Sequence, residues 1–484
     1  MDYSQFLLMP QEMGLLLVFL LVFIYDTFMP ERSQRALPGF TAALFAIYTA
    51  ICFIPCQLGS AFGGMMECNE ATWAMKNILN VGMFIVLLQA ARWTNSEFVS
   101  VRRGEFYELL LLTLFGMFLM ISARHFLLFV LGLETASLPI AALAAFEKNR
   151  YESHEAAAKY VITAIFSSAI FLLGISFVYG IAGTLYFDDI ATSLIGEKSP
   201  LLILAIAFVM SGVAFKLSLV PYHQWTADVY QGAPTAVTAY LSVISKGAAA
   251  FSFLVIMVQC FGAAYAEVWQ WMLYAIIILT ITIGNLFAMR NRKRVLAYSS
   301  ISQAGYIMLG VIAANALGMA SMMYYVLVYI FSNLAAFGVI AAIERQTGKT
   351  TTDDYNGLFK TNPWLAFTMM LAMFSLGGIP PFAGFFSKFF IFVGACKTGS
   401  VAIYVLVLIA LINTIISLYY YLLVVKAMFI RQDDCAIPTF KCGCGERVSL
   451  IVCTLGIILI GLASCIYTYL VGVSEAVSDI FTML

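Results

Sequence analysis

The sequence predicts an all-α polytopic membrane protein, and three observations carry that prediction. Of its 484 residues, 62% are hydrophobic and only 11% charged, with a mean hydropathy of +0.93. A soluble core of this size would need far more polar surface. Apolar windows of about 20 residues, the length that crosses a bilayer, recur along the chain. Finally, two of these windows, FKLSLVPYHQWTADVYQGAP and FSLGGIPPFAGFFSKF, are broken by proline with a lysine close by. Broken backbone at membrane depth is tolerated only where protein or a water-filled cavity satisfies the freed groups.

Taken in order, the windows place helices near 12–29, 38–57, 73–91, 106–121, 125–145, 157–181, 201–230, 235–260, 269–289, 297–314, 318–344, 361–396, 402–429 and 447–471. That is about fourteen transmembrane helices, with the seventh and twelfth lengthened by the breaks at Pro221 and at Pro380 and Pro381. The first run follows Asp2 and Glu12 rather than a basic segment, and no small-residue cleavage site comes after it. It reads as a retained helix, not a signal peptide. The two breaks lie five helices apart. Since five is odd, units related this way have opposite topology, a recurring transporter design with discontinuous helices near the midplane. The chain therefore divides into three N-terminal helices (1–105), a first five-helix repeat (106–260), a second, inverted one (261–430), and a loop with a C-terminal helix (431–484).

Basic residues sort by loop. Seventeen follow odd-numbered helices, against four after even-numbered ones, Lys76, Arg124, Lys198 and Lys397. The positive-inside rule then makes odd-to-even loops cytoplasmic and puts both termini outside. The balance of 26 basic and 26 acidic residues leaves no nucleic-acid footprint.

Five basic residues stay within the spans: Lys159, Lys216, Lys246, Lys388 and Lys426. A charged amine in hydrocarbon costs at least ~2.5–3.5 kcal/mol, so it marks a buried polar pathway by default. Glu134, midway through the fifth helix, is about 15–20 Å from either end, too far to snorkel; it must be protonated or paired with a buried cation. Lys246 is equally central. Burial disfavours its ammonium form while a nearby Glu134 would favour it, so such a pair can hold a proton in either of two places; the bland alternative is a structural ion pair. Lys216 lies five residues before Pro221, and proline frees a backbone carbonyl at this turn. His223 in the same break suits proton hand-off between lysines, or is a hydrogen-bonded filler. Lys388 follows the second break by seven residues, and snorkelling outward is its alternative reading. Lys159, after ESHEAAA, divides evenly between snorkelling and function, and Lys426 reads as a snorkeller. RNRKRVLAYSSISQAGY is a basic anchor whose SSIS run and Gln303 can line a polar path.

Ten cysteines are present. Cys52, Cys56, Cys260, Cys396, Cys453 and Cys465 fall within predicted spans as small apolar fillers. Cys435, Cys442 and Cys444 share one loop, a weak metal pattern without histidine or C-x-x-C spacing. No G-x-G-x-x-G after a strand, iron–sulfur spacing or haem pair among His125, His154 and His223 is present.

Together FKLSLVPYHQWTADVYQGAP, KRVLAYSSISQAGY, GLETASLP and GGIPPFAGFFSKF resemble the antiporter-like membrane subunits of respiratory complex I, the proton-pumping NADH:quinone oxidoreductase, over residues 70 to 430 or so. A lysine after the second break, where a sister branch usually has glutamate, favours the N-type branch, the counterparts of mitochondrial subunit 2. So does the lack of the long C-terminal extension of another branch. The resemblance implies fourteen helices, two inverted five-helix repeats and a proton relay. It implies Glu134 as the helix-five carboxylate, Lys159 as its partner, Lys216 on helix seven, Lys246 as the connecting lysine and Lys388 as the exit-side lysine. Gln303 departs from the histidine that several relatives carry. The resemblance further implies a bacterial inner membrane, with other membrane and peripheral complex I subunits as partners. NAD, FMN, iron–sulfur clusters and quinone would be handled in those subunits and none in this chain. The competing readings are an Mrp-type sodium/proton antiporter subunit, a membrane-bound hydrogenase subunit, and a scaffold whose charges only lock helices together.

Overall fold

The computed structural model describes residues 3–97, 99–197, 199–262, 266–291, 294–431, 437–463 and 465–481; Lys198, Arg292, Lys293 and Cys435 lie outside them. The described residues are almost entirely helical, apart from one antiparallel hairpin, Gly59–Ala61 with Met66–Cys68. Among the described residues, twelve helices are long and apolar enough to cross a membrane. Leu37–Cys52, Pro363–Gly377 and Ala383–Cys396 are shorter apolar helices. They account for the second predicted span and the two halves of the twelfth.

Ala316–Thr347 is the hub. It packs against Glu70–Trp93, Val295–Ala313, Pro363–Gly377, Ala383–Cys396 and Cys444–Leu462. Residues 235–260 run beside it and are buried from Ala236 to Cys260. At the periphery Ile162, Phe166, Leu408 and Ile415 are exposed, an apolar outer surface that only lipid solvates well. Sequential partners form the tightest pairs: Arg103–Ser122 with Phe126–Ala144, Tyr151–Ala182 with Pro200–Leu217, and Ala266–Arg290 with Val295–Ala313.

Helix ends explain where the structure departs from the hydropathy windows. Asn69 accepts from the Thr72 amide and the Thr72 hydroxyl accepts from the Asn69 amide, both at 2.9 Å. This capping box starts Glu70–Trp93 ahead of the 73–91 window, so Lys76, sorted above with the loops, is a span residue already in the helix's second turn. Tyr151–Ala182 begins in polar ESHEAAA, whose Ala and Glu residues favour helix while depressing hydropathy, so Lys159 sits on a helix already two turns old. The second helix stops at Cys52, leaving Cys56 in the following loop. The last predicted span, 447–471, is two helices, Cys444–Leu462 and Cys465–Ala476, parted where Ala463 becomes extended.

The two breaks share one construction. Pro200–Leu217 ends at Ser218 (φ 62°) and Pro363–Gly377 at Gly378 (φ 86°). Leu219 N–H bonds Ala214 O at 2.9 Å, and Ile379 N–H bonds Phe374 O at 3.0 Å. Ser218 N–H bonds Phe215 O, and Gly378 N–H bonds Ser375 O, each at 3.0 Å. This double closure is the Schellman motif. A left-handed residue is easy for glycine but costly for serine, so the surroundings hold Ser218 in place. The Val220 amide bonds the Thr280 hydroxyl at 3.0 Å, and Trp225 Nε1 bonds Phe215 O at 3.1 Å.

Candidate functional site

Three lysines lie deep in the bundle: Lys216, Lys246 and Lys388, with 3%, 1% and 5% exposure. Lys216, in the last turn before the first break, donates to the Ser137 hydroxyl at 2.8 Å and the Tyr160 hydroxyl at 3.4 Å. Glu134 stands one turn before Ser137 on Phe126–Ala144, half-buried, so the helix that receives Lys216 also carries the acid. Lys246 lies between two π-helical turns, Leu241–Ser245 and Ile256–Cys260, irregularities frequent at functional sites. It donates to the Ser300 hydroxyl at 2.7 Å and the Ser300 carbonyl at 2.9 Å, and stands 5.6 Å from the Tyr230 ring centre. Lys388 turns back across the second break to the carbonyls of Leu376 (2.9 Å) and Gly377 (3.1 Å), beside the Tyr306 ring. Those carbonyls end a helix, where the dipole favours a cation. Lys388 is no snorkeller, and among the described residues Lys246 is in no ion pair.

Several expectations need correcting. Glu134 shares its helix with Ser137, the acceptor of Lys216, whereas Lys246 is held by Ser300 on another helix. Lys159 is held by Asp228 at 2.6 Å and Glu155 at 2.7 Å, not by Glu134, with its side chain 42% exposed. Asp228 also binds Arg294 at 2.6 Å. No hydrogen bond joins His223 to either lysine, and its Nδ1 is enclosed without a partner. Lys426 is exposed, as a snorkeller should be.

One helix, Val295–Ala313, serves two of the lysines. Ser300 receives Lys246; Gln303, three residues on, donates to Leu376 O at 3.4 Å, the same carbonyl that receives Lys388. Gln303 also donates to the Tyr421 hydroxyl at 3.1 Å and accepts from the Tyr325 hydroxyl. Around this line Ser218, Thr226 and Ser245 have buried hydroxyls without partners among the described residues, the kind of group that buried water ordinarily satisfies. A cavity of about 300 Å³, lined by Arg150, Glu152, Arg294 and Glu344 near the basic loops, reaches Tyr230.

Lys76 is the counter-example. It bonds Glu12 at 2.5 Å with both side chains 1% exposed. Among the described residues no carboxylate comes within 4.0 Å of Lys216, Lys246 or Lys388. Nor do the described residues gather a metal-ligating group of three. Burial pushes the Cys442 thiol up, away from the thiolate a metal binds.

Residues 123–417 match the family model for the membrane subunits of NADH:quinone oxidoreductase and Mrp antiporters. A NADH-quinone oxidoreductase subunit N from Phocaeicola vulgatus is 52% identical over 97% of this chain and 99% of its own length. The chain belongs to this antiporter-like family, on its subunit N branch. A second subunit N, from Azobacteroides pseudotrichonymphae, is 50% identical over 99% of both chains. A chain of respiratory complex I from Thermus thermophilus superposes with a TM-score of 0.77 at 28% identity, covering 93% of this chain and 97% of that one. A chain of the Mrp complex from Dietzia sp. gives 0.83 at 20% identity, covering 100% and 98%, a likeness of fold alone. This family member is a multi-pass membrane protein.

Sequence reading missed Asp228, Ser137, Tyr160 and the Glu12–Lys76 pair. Asp228 lies within DVYQGAP, so the motif itself was the available signal. The hydroxyls gave none, because serine and tyrosine are common in membrane helices and only the fold turns these toward a lysine.

Proposed function

We propose that this chain is the proton-translocating N-type subunit of an NADH:quinone oxidoreductase, working with other membrane and peripheral subunits in a bacterial inner membrane. The observation that carries this reading is the contrast between Lys76, paired with a carboxylate, and three buried lysines held by hydroxyls and carbonyls. Breaking a buried ion pair leaves the other charge uncompensated, at about 3–5 kcal/mol, so Lys76 is built to stay charged. A lysine among neutral acceptors can give up its proton without stranding an anion.

In the proposed cycle, quinone reduction in partner subunits alters the field at Glu134. That changes the proton affinity of Lys216, which keeps its amine through Ser137 and Tyr160. The proton then passes to Lys246, onward along Ser300 and the Tyr325–Gln303–Tyr421 cluster, and to Lys388 for release outside. Gln303 cannot titrate, so it positions hydroxyls and water rather than carrying the proton. The cavity that reaches Tyr230 supplies the way in from the basic, cytoplasmic face, and both termini lie outside. His223 serves as a side station to this line. The matching Schellman breaks and helix pairs support two inverted five-helix repeats, 106–260 and 261–430, in a bundle of fourteen spans. NADH, FMN, iron–sulfur and quinone chemistry belongs to the partners. Moving one charge against the membrane potential costs about 2.3 kcal/mol per 100 mV, while one pKa unit is worth about 1.36 kcal/mol, so swings of a couple of units are required.

Purification through a tag on this chain tests the assembly: flavin- and iron–sulfur-containing subunits should come with it. Sodium-dependent pH changes in vesicles lacking those subunits would instead support the Mrp-type reading, which the shared fold makes the natural rival.

A further inference from the structure

The hairpin on the face opposite the basic loops carries a pair of thiols that the proton path does not use. Cys56 Sγ and Cys68 Sγ are 3.8 Å apart, against about 2.05 Å in a disulfide, so closure needs a movement of under about 2 Å. Cys68 is buried at 3% exposure on the second strand, while Cys56 is half-buried in the loop leading to the first. Around them the hairpin ties the N-terminal helices to the first five-helix unit. Met66 bridges Ala123, the Arg124 amide bonds Met65 O at 2.8 Å, and Arg124 forms an ion pair with Glu67 next to Cys68. From the N-terminal side the hairpin is held by the Phe62 amide on Gln5, at 2.9 Å, by the Phe6 ring on Phe62, and by Met9 packed with Ala61 and Met66.

We propose that Cys56 and Cys68 form a disulfide that staples this hairpin in the assembled protein. The inference rests on the outward orientation proposed above, since disulfides persist outside the reducing cytosol. The co-reactant is a protein disulfide of the extracytoplasmic space. Burial pushes the Cys68 thiol up to about 12, so Cys56 meets the oxidant first. Its thiolate attacks one sulfur of the carrier disulfide, releasing the carrier's other thiolate and leaving a mixed disulfide on Cys56. The Cys68 thiolate then attacks the Cys56 sulfur and expels the carrier's second thiolate. Two protons and two electrons leave the pair, and the carrier is left as a dithiol. Closing this short loop constrains the unfolded chain and fixes Glu67 on Arg124, at the entrance to the helix that carries Glu134.

The test uses the complex isolated from acid-quenched cells, with free thiols capped by N-ethylmaleimide before non-reducing proteolysis and mass spectrometry. A linked peptide joining Cys56 to Cys68 is expected in the wild type and absent from Cys56→Ser and from Cys68→Ser, each of which should show one capped thiol. Limited proteolysis should cut the 56–68 segment several-fold faster in both variants. N-ethylmaleimide on both residues in the wild type overturns the pairing, as does a linked peptide joining either one to the nearby Cys52. Cys444, exposed at the opposite end, reports the orientation independently: an impermeant maleimide should not reach it in intact cells. Two capped thiols with Cys444 unlabelled refute the staple alone. Two capped thiols with Cys444 labelled refute the orientation as well.

Discussion

The two breaks are alike in backbone and unlike in charge. Each ends a helix in a Schellman motif on a left-handed residue, Ser218 or Gly378. At the first, the lysine precedes the break and reaches side-chain hydroxyls on two neighbouring helices, one of which carries a carboxylate, Glu134, one turn from the bonded serine. At the second, the lysine follows the break and reaches back to two helix-end carbonyls, its hydrogen-bond partners among the described residues. A site with a switchable acid nearby can have its proton affinity set from outside. One built only of fixed dipoles cannot. In the proposed cycle this difference puts regulation at the first break and release at the second, with Lys246 and Val295–Ala313 between them.

After the loss of Lys216, removing the amine of Lys246 or Lys388 should have the largest effect. Lys246→Ala and Lys388→Ala are each expected to cut proton pumping at least about tenfold, equivalent to 1.36 kcal/mol on the limiting barrier, while assembly, read on native gels, stays intact. Next comes Glu134→Gln, expected to slow pumping several-fold. It should add little in a Lys216→Ala background but combine with Lys388→Ala as an independent change, because neighbours couple and distant sites do not. Equal coupling to both lysines would erase the contrast between the breaks. Gln303→Leu strands the Tyr325 hydroxyl and should lower thermal stability by about 1–3 kcal/mol, whereas Gln303→His restores a partner and should keep most activity. Lys159→Ala removes a pair at a 42% exposed side chain, worth about 0.2–1 kcal/mol, and Lys426→Ala should change neither stability nor pumping.

The fold was legible because apolar length and proline are local signals: the breaks at Pro221 and at Pro380 and Pro381 needed only a pattern. Depth was legible too, since Glu134 and Lys246 lie too far from either helix end to snorkel. Partnership was not. Whether Lys388 meets a headgroup or the Leu376 carbonyl depends on a turn that folds it back across the break. Lys76 and Glu12, 64 residues apart, form a pair that hydropathy cannot anticipate, because a hydropathy window reports depth along one helix and not which helices face each other. Lys159 shows the limit of resemblance: it carries over by position, yet this structure holds it on Asp228.

The central claim is that a buried lysine without a bonded carboxylate carries the proton, and Lys216 tests it most directly. In the complete complex reconstituted into vesicles, Lys216→Ala is expected to abolish pumping and to slow coupled quinone reduction, with assembly unchanged. Wild-type rates for both in that variant would contradict the account.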